Sequence, residues 1–411
     1  MSKVIRYHKE SRIRSLLVVG IIAFLIYGCT EGQKERHLDE EWKEWIKKVD
    51  WTYSICIADR EGENIQPIFS IRCPDDFYSY EDQPYWLSDR EIAFLAHLGN
   101  KHGLWTVDEK GKLREILSLK GEGPLPPGGG PAIMAVSPDG KEIVLGTGEF
   151  KGGIWLWIIN SKGTNLRKLK LKWKKGTTYG LSWSPDGKTI VWRIGSQKEG
   201  GNPMLEGGNL WAIDRDGKNL RELYSKGDII LNSSHASFNW SPDGRLVVFY
   251  PKRMAKRILA ADVKTNEIKE LVDESFFSGA KELTGRCQPA FSPDGKKIIF
   301  LRVRPTKRDI VLCEFDLEKK ESRILNLLKG INMGTRRNIS YSSDGEKIVL
   351  EFCNQEGFLN IVSLNSDGSG LKELTKDVKG SSWGHAWSPD GKKIAFFSGY
   401  VFLRKPKEKE K

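Results

Sequence analysis

The chain has 411 residues, 39% of them hydrophobic, with 42 glycines and 14 tryptophans. That length excludes a minimal domain dependent on staples and allows a large core, divided among domains or built as one repeat array. Of the net charge of +12, +4 falls in residues 1–28 and +3 in the last eight, so the body is only mildly basic and no nucleic-acid partner is expected.

In chain order, residues 1–15 are basic and Leu16 to Tyr27 form an apolar run broken only by Gly20. A basic segment, about a dozen apolar residues and a small residue at the cut define a secretory signal; the run is short for a spanning helix, which needs about 20 apolar residues. Residues 1–28 are therefore read as a signal peptide, with an uncleaved signal anchor as the alternative. Ile26-Tyr27-Gly28-Cys29 resembles the lipobox of bacterial lipoproteins. The resemblance implies acylation of Cys29 and a membrane attachment through it. Thr30, in place of the aspartate linked to inner-membrane retention in some bacteria, points toward the outer membrane. The expected location is the cell envelope, on its periplasmic or extracellular face.

Residues 29–51 read as a linker followed by a short amphipathic helix, with Leu38, Trp42, Trp45, Ile46 and Val49 on one face. Beyond Cys29 five cysteines remain, an odd number that gives no complete disulfide framework. Cys56, Cys313 and Cys353 lie in or beside β-rich runs, where a thiol acts as a small buried hydrophobe.

The body, residues 52–403, is organised by one phrase. It stands as Val136-Ser137-Pro138-Asp139-Gly140, Trp183-Ser184-Pro185-Asp186-Gly187 and Trp240-Ser241-Pro242-Asp243-Gly244. It returns as Phe291-Ser292-Pro293-Asp294-Gly295, Tyr341-Ser342-Ser343-Asp344-Gly345 and Trp387-Ser388-Pro389-Asp390-Gly391, with a worn copy at Trp86-Leu87-Ser88-Asp89-Arg90. The aspartates are 50, 47, 57, 51, 50 and 46 residues apart. Proline presets φ, aspartate bonds the local backbone and glycine takes the left-handed conformation, so each copy is a tight turn. An apolar β-forming run follows each complete copy, as in Ile143-Val144-Leu145 and Ile348-Val349-Leu350, which makes a hairpin. A second strand pair straddles a further polar turn in most units, as at Asp214-Arg215-Asp216-Gly217. Four strands in a period of about 50 residues describe a propeller blade.

The ends are complementary. Tyr53 to Ala58 and Ile65 to Phe69 form an orphan outer pair, whereas His385 to Ser398 supplies only an inner pair before the charged tail, residues 404–411. Joined, they make one blade and close the ring. The expectation is an all-β, single propeller of seven four-stranded blades, or six if the worn copy forms none of its own.

These registered copies closely resemble the propeller repeats of the TolB family, over residues 80 to 400 or so. The resemblance implies the propeller and its use as a binding platform. TolB carries an α/β domain ahead of its propeller, and here only a short segment separates Cys29 from the first strand, so the Tol-system role itself is not implied.

In such propellers the residues just upstream of each turn rim a central funnel. Here they are Tyr85, Tyr179, His235, Arg286, Gln288, Arg336, Arg337, Trp383 and His385. Arginines, an amide and aromatics suit an acidic or sugar-like ligand, or a peptide carboxylate. No cofactor, metal or catalytic residue is expected. The turn serines recur for structural reasons and lack a matched base. The reading is a monomeric, noncatalytic module that binds or scaffolds a protein or peptide partner in the envelope. Alternatives are a binder of a small acidic ligand and a carbohydrate-active enzyme. For the enzyme, the oligogalacturonate lyases, metal-dependent seven-bladed propellers, imply roles for His235, Gln288 and His385.

Overall fold

The computed structural model describes residues 49–73, 83–98, 101–118, 131–149, 153–169, 171, 177–195, 208–229, 238–251, 257–273, 284–285, 289–304, 309–328, 338–354 and 358–403. Cys29, the signal segment, the charged tail and the expected helix up to residue 48 lie outside them. The described residues are all-β and form seven antiparallel blades. The worn first copy does make its own blade, Tyr85–Ser88, Glu91–Leu98, Lys101–Asp108 and Leu113–Ser118. Blades two to six follow in register with the complete turns. In the fifth the innermost strand is split into Thr284–Gly285 and Ala290–Phe291, both paired with Lys297–Arg304.

Blade seven joins the two chain ends. Its sheet runs outward from Ser381–Trp387 through Lys393–Leu403 and Val49–Asp59 to Gln66–Cys73. The two central strands pair without a slip from Val49 opposite Leu403 to Asp59 opposite Lys393. Val49, expected on a helical face, is thus the first residue of a strand. Its partner on the far end of the chain supplies the ladder that outweighs the local helical pattern.

Each turn is held by its own side chains. Ser137 Oγ donates to Asp139 Oδ1 at 2.6 Å and accepts the Glu142 N–H at 2.9 Å. The same serine-to-aspartate bond recurs in the other five complete copies. The serine hydroxyl holds the Asp139, Asp243, Asp294 and Asp390 carboxyls below the usual carboxylate range. Gly140 has φ +67, and a Cβ there would stand 1.9 Å from the Leu87 carbonyl oxygen of blade one. The glycine therefore serves the turn and the approach of two blades together.

The core lies between blades. Seven apolar clusters fill the seven seams, as where Ile133, Ala135, Val144 and Leu156 of blade two meet Leu181, Trp183, Ile190 and Trp192 of blade three. Cys56, Cys313 and Cys353 are buried, as expected. Burial pushes the Cys56 thiol up to about 12 and that of Cys313 to about 11, so neither is a thiolate at neutral pH.

Candidate functional site

The innermost strands of neighbouring blades stand side by side around the axis, those of blades one, two and three and of blades four, five and six among them. Any site at the axis is built from their side chains and from the connections that lead into them. His235, Arg286, Gln288, Arg336 and Arg337 lie on such connections, outside the described residues. Tyr85 opens the inner strand of blade one and packs, half-buried, on the seam with blade two. Tyr179 is on the inner strand of blade three, opposite Arg193.

Trp383 and His385 are placed inside seams, away from open surface. Trp383 is 5% exposed and packs on Tyr53 and Phe397, with ring centroids 6.0 and 6.2 Å away. One residue on, the strand bulges at Gly384, whose φ is +68. The bulge points the backbone N–H groups of Gly384 and His385 at one acceptor, Glu351 Oε1, at 2.8 and 3.2 Å. The same oxygen lies 3.1 Å from His385 Nδ1, and His385 Nε2 lies 3.0 Å from Ser340 Oγ. The His385 and Glu351 side chains are 0% and 1% exposed, while Ser340 is partly exposed.

With the hydrogen on Nδ1, Glu351 Oε1 accepts from it, Nε2 is left as an acceptor, and the Ser340 O–H can donate to it. Glu351 belongs to the second strand of blade six, Lys347–Cys353, and Ser340 to its inner strand, Ile339–Tyr341. Sequence reasoning singled out His385 but passed over both partners. A signal existed: Glu351 interrupts the otherwise apolar run from Ile348 to Cys353.

This arrangement bears on metal binding. The lyase comparison gives His385 to a divalent ion, yet both of its ring nitrogens are engaged by Glu351 and Ser340. His385 as placed does not fit that role. Among the described residues no group of three or more His, Cys, Asp and Glu side chains could hold an ion.

The architecture can be set beside known proteins. A TolB candidate from Agrobacterium tumefaciens superimposes with a TM-score of 0.50 at 15% identity, covering 85% of this chain and 99% of that one. The fold is that of a TolB-like propeller. An oligogalacturonate lyase from Vibrio parahaemolyticus superimposes with a TM-score of 0.56 at 11% identity, over 84% of this chain and 97% of its own. In sequence, an uncharacterized protein of Agrobacterium fabrum is 25% identical over 253 residues, which is 60% of this chain and 75% of that protein. No protein-family profile matches the chain. A TolB candidate and a lyase thus share this fold, and the fold alone does not choose a function.

Proposed function

We propose that the protein is an envelope-anchored propeller that binds or scaffolds a protein or peptide partner, with Cys29 as the lipid anchor, residues 1–28 removed, and residues 52–403 as one binding unit. One observation carries the reading. Among the described residues the exposed large apolar side chains are Leu113, Ile268, Ile324 and Leu371, up to 59% exposed at Ile324, and all sit on or beside the outermost strands of blades. They stand singly on four different blades, so they offer separate apolar contacts to a partner and not one contiguous patch. The funnel arginines, Arg286, Arg336 and Arg337, would give the same partner an acidic anchor point. This binding role requires no chemistry.

The deciding experiment is crosslinking in intact envelopes, followed by identification of the neighbours. A defined partner recovered with the wild type, and lost from a variant with Arg286, Arg336 and Arg337 all changed to Ala at unchanged Tm, supports the reading and its funnel. The same partner lost only from Ile324→Asp supports the edges and removes the funnel. Recovery of no specific neighbour in any variant rejects the binding role.

A further inference from the structure

Seven copies of one sheet provide an internal control for the buried group between blades six and seven. Three positions meet at each seam: the residue two before the turn serine, the fifth residue of the following strand, and the residue three before the next blade's turn serine. Between blades two and three these are Ala135, Gly146 and Leu181, and a Cβ on Gly146 would come within 3.1 Å of Leu181. Between blades five and six they are Ala290, Leu301 and Ile339, all buried in one apolar cluster. Between blades six and seven they are Ser340, Glu351 and His385. Apolar residues pack these two junctions, whereas between blades three and four the same positions hold Ser182, the buried Arg193 and Phe238. Burying a carboxylate and an imidazole there adds a desolvation cost that the architecture does not need.

What the polar set supplies is a directed chain of hydrogen bonds ending at a hydroxyl. We propose that Ser340 is a nucleophile, with His385 as its base, acting on a carboxylic ester presented at the inner wall of the ring. The inference goes beyond binding and does not depend on it. Ser340 Oγ forms a bond to the carbonyl carbon while its proton passes to His385 Nε2; the tetrahedral adduct then breaks its bond to the leaving alkoxide, which takes that proton. A water molecule then attacks the acyl carbon, its proton passing to Ser340 Oγ as the acid leaves, which restores Ser340. Glu351 is a positioning residue: held by the N–H groups of Gly384 and His385, it fixes the tautomer and offsets the charge that His385 acquires. Only Ser340 is open to a substrate, since its two partners are enclosed.

The neighbouring turn serines mark the contrast. Ser342, two residues on, is fully buried, donates to Asp344 at 2.6 Å and accepts the Lys347 N–H at 3.0 Å. Its hydroxyl is committed to the turn. Ser340 Oγ instead lies 3.0 Å from His385 Nε2 and is bound to no turn aspartate.

The test uses the full-length chain in detergent, a fluorophosphonate probe and p-nitrophenyl acetate. The expected result is a phosphonyl adduct on the peptide carrying Ser340, with ester hydrolysis reduced about 100-fold or more in Ser340→Ala and His385→Leu. Both variants reproduce side chains that the same position holds in other blades, so they should fold, which their Tm checks. In Glu351→Gln labelling should slow at unchanged Tm and recover in part in Glu351→Asp, a rescue that a purely structural brace would not produce. An unmodified Ser340 in the folded wild type, or hydrolysis unaffected by Ser340→Ala, overturns the proposal.

Discussion

Blade two and blade seven are the same four-stranded sheet made in opposite ways. Blade two runs continuously from Pro131 to Leu169, each strand pairing with the next. Blade seven takes its inner strands from one end of the chain and its outer strands from the other, with Val49 opposite Leu403. Loop-closure entropy grows only about 0.6 kcal/mol per doubling of length, so this pairing costs about 3 kcal/mol more than a local hairpin. An unbroken ladder and the apolar seams on both sides offset that. The difference teaches that closure is thermodynamically mild yet topologically decisive: losing blade two's outer strand leaves a ring with a shortened sheet, while losing blade seven's pairing leaves no ring.

The largest effect should come from breaking closure outright. Deleting residues 52–70, or truncating before Trp387, should abolish the single cooperative transition seen by calorimetry; a truncated chain that melts like the intact one removes the distinction between the blades. A smaller effect should come from matched cavities. Ile55→Ala in blade seven and Ile158→Ala in blade two each empty a site that is at most 1% exposed, and each should cost about 2–5 kcal/mol at equilibrium. If the local blade forms earlier in folding, Ile55→Ala should mainly speed unfolding and Ile158→Ala mainly slow folding, as read from stopped-flow kinetics.

The turns should give less still. The folded-state carboxyls of Asp139 and Asp390 are held low by Ser137 and Ser388, so their contribution is complete above the unfolded carboxylate range and disappears as pH falls through the folded value. Tm should therefore drop as pH goes below about 4, and Asp139→Asn or Asp390→Asn should flatten that slope. Both carboxylates are largely solvated, so each change should cost less than about 1 kcal/mol near neutrality. The last measurement perturbs nothing: alkylation of Cys56 in blade seven against Cys313 in blade five under native conditions. If the closing blade opens locally, Cys56 reacts first; equal rates mean that the ring opens only as a whole.

Repetition decided what could be read from the sequence. Seven registered turns gave the blades, and the orphan pair from Tyr53 to Phe69 gave the closure, because each was a departure from a rhythm already counted. Val49 was misassigned because its strand partner lies at the other end of the chain and leaves no local trace. Glu351 and Ser340 were missed for a related reason. They gain meaning only beside His385, across a seam between sequence-distant strands, and a serine at the Ser340 position also occurs as Ser182 in blade three, where Arg193 stands in place of the glutamate. His385 was noticed for its place ahead of a turn, although that place proved to be enclosed.

The antiparallel ladder of blade seven also sets how the molecule should bear load. Strand Val49–Asp59 has a partner on each side, so a lengthwise pull on the chain ahead of Val49, with the ring held, must shear two ladders at once. Tension between the two ends meets a different resistance. The segments leaving Val49 and Leu403 start side by side, and force applied between them would peel one pair at a time, like opening a zip from its free end.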